Sequence, residues 1–412
     1  MSKVLGIVAE YNPFHNGHKY HIQKSKEITG AKYVVAVISG NFTQRGDTSL
    51  IDKWSKTKMA LENGVDLVIE LPVIYAISSA ENFADGAIKI LNSLGIVDYI
   101  SFGAETNDLE LLKAVQKVVS KEPKNYKTSL KNNLDNGLSF PKARELAVKE
   151  YFKDSKYSKV LSYPNNILGI EYLKSLDKHK SKIDPVIITR YSSDYNDVKV
   201  TGNIASATAI RNLLCENSVN IDLLSSLIPQ PSLDILLNNI KQGHLIPSLA
   251  CFQKEIIYML RCMTNDEIKH IPDVSEGLDI ALKNTANSCN TLEDFINIIK
   301  SKRFTTTRIQ RILLYVLLHI KSKDMIMSKK TVPYIRVLGF NSNGKYLISE
   351  ISKKSPKLNI ITSVKKFIDS NSDTPLSNMF EKDIFATNIY TLGYINDSWS
   401  NLDFTNKIIS ID

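Results

Sequence analysis

The chain has 412 residues, 43% of them hydrophobic and 23% charged, and carries a formal net charge of +9. That is room for two or three globular domains of ordinary composition. No apolar run approaches the roughly 18 residues of a membrane helix, and Val4–Ala9, closed by Glu10, is too short for a secretory signal core. The four cysteines, Cys215, Cys251, Cys262 and Cys289, form no C-x-x-C pair. This argues against a structural zinc or a disulfide framework, and predicts small buried thiols in a reduced, cytoplasmic compartment.

The first 215 residues alternate two kinds of segment. Val4–Ala9, Tyr33–Ser39, Asp66–Leu71, Tyr99–Phe102 and Val186–Thr189 are short and apolar without polar alternation, as strands buried on both faces of a parallel sheet are. Between them His18–Thr29, Lys53–Asn63, Ser79–Leu94, Asp108–Ser120 and Pro164–Leu176 read as helices, several with a cap or proline at the start and Gly or Asn near the end. This rhythm predicts an α/β fold, a doubly wound parallel sheet with its ligand at the carboxyl ends of the strands. Residues about 121–160 read as a lysine-rich helical insert. Amphipathic helices follow from about Ser218, with Leu223, Leu224, Leu227 and Ile228 at helical spacing. The most apolar late run, Ile312 to Ile320, is a core helix. Short strand-like pieces and turns close the chain from Tyr334. The expected domains are 1–217, 218–330 (helical) and 331–412 (small α/β).

The first turn carries the chemistry. Glu10-Tyr11-Asn12-Pro13-Phe14-His15-Asn16-Gly17-His18 follows strand one directly, and three of the seven histidines, His15, His18 and His21, fall in this stretch. A helix start offers unpaired N–H groups and a positive dipole end to an anion, and Gly17 allows close approach. The imidazoles can donate to a triphosphate and to the charge that grows as its α–β bond breaks. A second element, Ile204-Ala205-Ser206-Ala207-Thr208-Ala209-Ile210-Arg211, puts hydroxyls at a helix start and an arginine that can fork onto phosphate. Judged alone, it could be a capped helix with a surface arginine. Arg45, after strand two, is placed to meet phosphate or substrate. Asp66 and Glu70 read as a strand-end cap and a satisfied carboxylate rather than a general base or metal ligands. No metal-ligand spacing appears, so any Mg²⁺ would arrive on nucleotide phosphates.

Charge is uneven along the chain. From Lys300 to Lys366 there are sixteen Lys or Arg against Asp324 and Glu350, a local net of +14 on an otherwise mildly acidic protein. Nucleic acid is the leading polyanion partner. Lys302, Arg303, Arg308 and Arg311 are the candidate RNA contacts. Phe304, Tyr315, Tyr334, Phe340 and Tyr346 are interleaved with the charges, either to stack on unpaired bases or as core.

The two nucleotide motifs together resemble the HIGH nucleotidyltransferase superfamily, although Asn12-Pro13 stands where many members have Asp-Pro. Further stretches are similar, in order over the whole chain, to the bacterial tRNA(Met) cytidine acetate ligases. They are Ser39-Gly40-Asn41-Phe42-Thr43-Gln44-Arg45-Gly46, Lys53-Trp54 through Asp66–Pro72, Phe102-Gly103-Ala104-Glu105, Pro164–Gly169 and Lys302–Thr305. The resemblance implies a Rossmann-like nucleotidyltransferase (HUP-type) sheet. It implies an enzyme that uses ATP to activate acetate as acetyl-adenylate, then acetylates the wobble cytidine of elongator tRNA(Met) to N4-acetylcytidine. It further implies ATP contacts from Ile7, Val8, Ala9, Glu10, Tyr11, Asn12, Pro13, Phe14, His15, Asn16, Gly17, His18, Lys19 and Tyr20, and from Gly103, Asn166 and Arg190. Asn165 and Asn166 carry amides able to read an adenine edge, or else cap the helix after Pro164. His15, His18, Ser206, Thr208 and Arg211 are the expected catalytic set. Two other readings stay open on the residues: a small-molecule adenylyltransferase that never touches RNA, and a non-catalytic RNA-binding protein switched by nucleotide.

Overall fold

The computed structural model describes residues 2–190, 205–214, 220–275, 277–301, 303–396 and 399–412. Its centre is one sheet whose strands are β1 Val4–Ala9, β2 Tyr33–Ser39, β3 Leu67–Leu71, β4 Tyr99–Ala104, β5 Asp184–Thr189, β6 Ile335–Phe340, β7 Ile360–Ile361 and β8 Ile409–Ser410. The order is β5-β4-β1-β2-β3-β6-β7, with β8 also paired to β6. Strands β1 to β5 are mutually parallel. β1 lies between β2 and β4, so the chain runs outward first on one side of β1 and then on the other. A crevice opens where the order reverses, beyond the carboxyl ends of the strands. All seven residues of β2 are buried, as an apolar run covered on both faces requires.

The expected helices form Asn16–Thr29, Lys53–Glu62, Ala80–Ser93, Leu109–Lys121 and Pro164–Lys178. Local chemistry fixes their ends. Asp52 accepts from the N–H groups of Trp54 and Ser55, both at 2.8 Å, to start one helix, and Gly30, in the left-handed region at φ 64°, ends another. The insert is helical: Lys124–Asp135, Phe140–Phe152 and Ser155–Lys159. It docks through a buried Arg144–Glu171 pair at 2.6 Å.

Helices also fill most of the chain from 221 to 330, and Thr306–Leu317 carries the apolar run from Ile312 into the core. Gly46, at φ 79°, lies so close to this helix that a Cβ there would stand 2.5 Å from the Arg311 nitrogen. The loop after β2 and the helical half therefore touch at backbone distance.

The C-terminal segment differs from expectation in where its strands go. β6 pairs antiparallel with β3, and β7 and β8 add to β6, so the segment extends the N-terminal sheet. Buried charges fasten this junction. Lys53 bonds Glu70 (2.9 Å) and Asp403 (2.8 Å), with Arg336 at 3.7 Å from the same Asp403 oxygen. Asp66 accepts from Val34 N and from the amides of Asn341 and Asn343. Both carboxylates questioned in the sequence therefore hold structure together.

Two smaller expectations need correction. Cys251 and Cys262 are exposed and only Cys289 is buried, while Cys215 lies outside the described residues. Leu249 and Phe252 take the inward positions of the turn holding Cys251, and Ile256, Ile257 and Leu260 those of the helix ending at Cys262. Among the interleaved aromatics, Tyr315 and Tyr334 are core residues. The Tyr315 hydroxyl donates to the Ile77 carbonyl at 3.1 Å. Among the described residues no helix is long and apolar enough to cross a membrane.

Candidate active site

The turn after β1 is held by its own histidines. His15 is the N-cap of helix Asn16–Thr29; its Nδ1 accepts from Gly17 N at 3.1 Å, and His18 Nδ1 accepts from His15 N at 3.2 Å. This is a capping box built from two imidazoles. An Nδ1 that accepts a backbone N–H carries no proton, so each neutral ring has its proton on Nε2. The rings stack with centroids 3.8 Å apart. Burial pushes the His15 pKa down to about 3, and the positive charges of Arg190 and Arg211 add to this. Burial likewise drives His18 well below the usual histidine range, with His15 and Arg190 contributing. The site therefore presents two neutral donors held in one tautomer.

The second motif closes onto the first. Ser206 Oγ accepts from Ala209 N at 3.1 Å at the start of helix Ala207–Leu214. Arg211 reaches across to donate to the Asn12 carbonyl at 3.0 Å and to Thr208 Oγ1 at 3.1 Å. Asn12 itself is buried: its Oδ1 accepts from Leu50 N at 2.7 Å, and its amide nitrogen donates to the Thr48 carbonyl at 3.4 Å. An aspartate could not make the second bond, so asparagine here ties the turn to the loop after β2. Ile204 lies outside the described residues.

A cleft of about 1630 Å³ runs along the strand ends. Its walls bring together His15, His18, His21, Gly103, Asn165, Asn166, Arg190, Ser206, Thr208 and Arg211, with Arg45 from the β2 edge. Of the first-turn segment, Val8, Ala9, Glu10, Tyr11, Asn12, Gly17 and Tyr20 also line it. Ile7, Pro13, Phe14, Asn16 and Lys19 do not. Ile7 and Phe14 are core side chains, Asn16 bonds the Ser226 carbonyl at 2.9 Å, and Lys19 is exposed. His21 bonds Ser101 Oγ at 2.9 Å, and burial lowers its pKa to about 4.

Arg45 and Arg190 are open to the cleft, yet burial among surrounding atoms lowers both pKa values. A Cβ on Gly103 would press the Arg190 side chain at 3.3 Å.

Sequence reasoning missed two parts of this wall and one buried brace behind it. Glu105, present in a quoted motif but given no role, accepts from Asn165 Nδ2 (2.6 Å) and Asn166 N (3.0 Å); Asn166 Oδ1 in turn accepts from Glu105 N at 2.9 Å. This latch fixes the start of helix Pro164–Lys178 against the loop after β4. Lys56 is fully buried and donates to the carbonyls of Glu10, Ser39 and Gly40, cross-bracing the ends of β1 and β2, and burial lowers its pKa to about 8. Lys156 and Lys159 from the insert, and Tyr163 just after it, line the same cleft as Thr307 and Gln310 of the helical half.

Three of the expected RNA contacts, Arg303, Arg308 and Arg311, do not line the cleft. Arg311 pairs with the Asp273 carboxylate at 3.1 Å, and Arg308 donates to the Asp273 carbonyl (2.7 Å) and to Ser275 Oγ (2.8 Å). Arg303 is exposed, and Lys302 lies outside the described residues.

A parallel sheet with an imidazole-capped turn at its switch point and a hydroxyl-arginine helix closing onto it defines a nucleotidyltransferase of the HIGH type. The family described as HIGH Nucleotidyl Transferase matches residues 2–403. The chain belongs to this family, and within it to the tRNA(Met) cytidine acetate ligases. It is 46% identical over 408 residues to the tRNA(Met) cytidine acetate ligase of Thermoanaerobacter sp. (strain X514), covering 99% of this chain and 100% of that protein. It is 44% identical to the corresponding ligase of Acetivibrio thermocellus, covering 99% of each. The crystal structure of Thermotoga maritima TmcAL superposes with a TM-score of 0.94 at 34% identity, over 99% of both chains. The same Thermotoga protein bound to alpha-thio ATP superposes with a TM-score of 0.92.

Proposed function

We propose that this chain makes acetyl-adenylate from ATP and acetate in the cleft and passes the acetyl group to the N4 amine of the wobble cytidine of elongator tRNA(Met). In the first step an acetate oxygen attacks the α-phosphorus, the α–β P–O bond breaks and pyrophosphate leaves. In the second the N4 nitrogen attacks the acetyl carbonyl, AMP leaves, and the amine loses a proton.

The observation that carries the reading is the pair of neutral imidazoles, each with its proton on Nε2, beside Arg190 and Arg211. Donors fixed before reaction and placed in a largely buried site stabilise charge that grows on the α-phosphate and the leaving pyrophosphate. These rings act as donors rather than bases, since each Nδ1 lone pair is already taken by a backbone N–H and the remaining ring nitrogen carries the proton. Gly103 and the latched Asn165 and Asn166 supply the adenosine end, and Ser206 and Thr208 supply hydroxyls to the phosphates.

The cleft carboxylates are already engaged: Glu10 by Gln44 N, Asp47 by Thr48 N and Leu249 N, and Glu105 by Asn165 and Asn166. In this reading Mg²⁺ enters as a complex of ATP, neutralising phosphate charge.

The test is ATP–pyrophosphate exchange with a panel of small carboxylic acids, with and without tRNA, followed by acetyl transfer. Acetate-dependent exchange without tRNA supports the reading. Exchange that strictly requires tRNA overturns a freely formed adenylate, and exchange with a phosphate ester instead returns the small-molecule adenylyltransferase.

A further inference from the structure

For the acetyl group to reach a cytidine, the N4 amine must enter the cleft, and in a stacked RNA loop that base edge is reached by splaying the nucleotide outward. The phosphates on either side of the splayed nucleotide then cross the cleft rim. The chemistry of that rim therefore decides which side of the protein the RNA lies on.

The two rims are unlike. The helical side contributes Thr307 and Gln310, both neutral, and the arginines behind them are engaged with Asp273 and Ser275. The insert end of the lining contributes Lys156 and Lys159 from helix Ser155–Lys159, followed by Tyr163. Lys156 is 60% exposed, and its partner Asp154, 3.4 Å away, is itself 45% exposed. A pair so open to water holds its lysine weakly. Tyr163 is 46% exposed and immediately precedes helix Pro164–Lys178, whose first turn Glu105 latches to the loop after β4. An aromatic mounted on a fixed helix start loses little freedom when a base stacks on it. Behind this rim the insert from 121 to 160 carries ten Lys or Arg against five Asp or Glu.

We propose that the insert rim is the RNA-docking edge of the cleft: Lys156 and Lys159 take the phosphates flanking the target nucleotide and Tyr163 stacks on a base. This deepens the functional reading above and rests on it. The partner is a single-stranded loop of a structured RNA, recognised by phosphate charge and an unstacked base. The expected RNA contacts at Arg308 and Arg311 would then be a brace of the helical half.

The test uses the full chain with elongator tRNA(Met), measuring tRNA affinity against salt, kcat and KM for acetylation, and acetate-dependent pyrophosphate exchange. The Lys156→Gln/Lys159→Gln double variant should flatten the slope of log affinity against log salt by about 1.5, at roughly 0.7 to 0.9 per lost phosphate contact. It should raise KM for tRNA while exchange continues. Tyr163→Ala should lower kcat/KM for tRNA about tenfold or more, with Tyr163→Phe restoring most of it. A double variant with the wild-type salt slope and KM overturns the proposal. So does a Tyr163→Phe variant as poor as Tyr163→Ala, since a hydroxyl role is not stacking. Wild-type protein without acetate-dependent exchange overturns the underlying functional reading and leaves the docking edge to be judged by tRNA binding alone.

Discussion

Arg211 donates to the backbone carbonyl of Asn12, so the side chain of one nucleotide motif is a strut for the main chain of the other. The same guanidinium meets Thr208 Oγ1. In the proposed reaction Arg211 therefore has two tasks, charge for the phosphates and closure of the turn that carries His15. A lysine keeps the charge but lacks the planar fork that serves both partners.

Arg211→Lys should accordingly lose most of the adenylation rate, about 10²-fold, with melting temperature nearly unchanged. Arg211→Ala should fall further. Pyrophosphate exchange beside thermal unfolding measures both. Near-wild-type exchange in the lysine variant would show that charge alone is used.

His15 separates capping from chemistry. An asparagine at this N-cap can still accept a backbone N–H, but it has no Nε2–H. His15→Asn should fold with stability close to wild type and lose about 10²-fold or more in exchange, as should His18→Ala. His21→Ala should matter less for rate, because its Nε2 is engaged by Ser101 Oγ at 2.9 Å. Equal rate losses at His18 and His21 would show that both rings serve the phosphates.

The lowered histidine pKa values fix the sign of a pH effect. Above about pH 6.5 the folded and unfolded chains both hold neutral imidazoles, and this source of pH dependence is silent. Below it only the unfolded chain binds the protons, so stability falls with pH until the folded values are reached, about 4 for His21 and about 3 for His15. Each such group contributes up to about 1.4 kcal/mol per pH unit. Urea unfolding at pH 7.5, 6.5 and 5.5 should therefore show falling stability in the wild type and a shallower fall in His15→Asn. Identical slopes would mean that His15 is not held neutral.

The junction of chain ends can be broken from either side. Lys53→Met leaves Glu70 and Asp403 buried without their cation, which should cost about 3–5 kcal/mol. Asp403→Asn should be milder, because Lys53 keeps Glu70. Denaturant melts compare the two, and a smaller loss for Lys53→Met than for Asp403→Asn would contradict the network described.

Arg308 and Arg311 should also behave as structural residues. Neutralising them leaves the Asp273 carboxylate and carbonyl without their donors, so melting temperature should drop. A quadruple Lys302, Arg303, Arg308 and Arg311 variant then needs its melting temperature read beside its tRNA affinity. A fully stable quadruple variant with a flattened salt slope would restore these four as RNA contacts.

What was legible in the sequence was whatever is local. The apolar runs Val4–Ala9 and Tyr33–Ser39 became strands with the expected bounds, and helix Asn16–Thr29 begins two residues ahead of expectation because His15, not a hydroxyl residue, is its cap. Long-range pairing was not legible. Ile335–Phe340 reads as a short strand but says nothing of an antiparallel partner at Leu67–Leu71. Lys53 and Lys56 look like surface charges on a helix, since lysine is rarely buried unless partnered, and their partners come from four separate segments. Glu105 stood in a quoted motif, yet only the fold shows its carboxylate beneath the Pro164 helix.

Because β6 seals the outer edge of β3 and belongs to the last quarter of the chain, the catalytic sheet cannot be completed while the ribosome is still translating the helical half. Until then a nascent chain carries β3 with an open hydrogen-bonding edge, the kind of surface that recruits strands from other molecules.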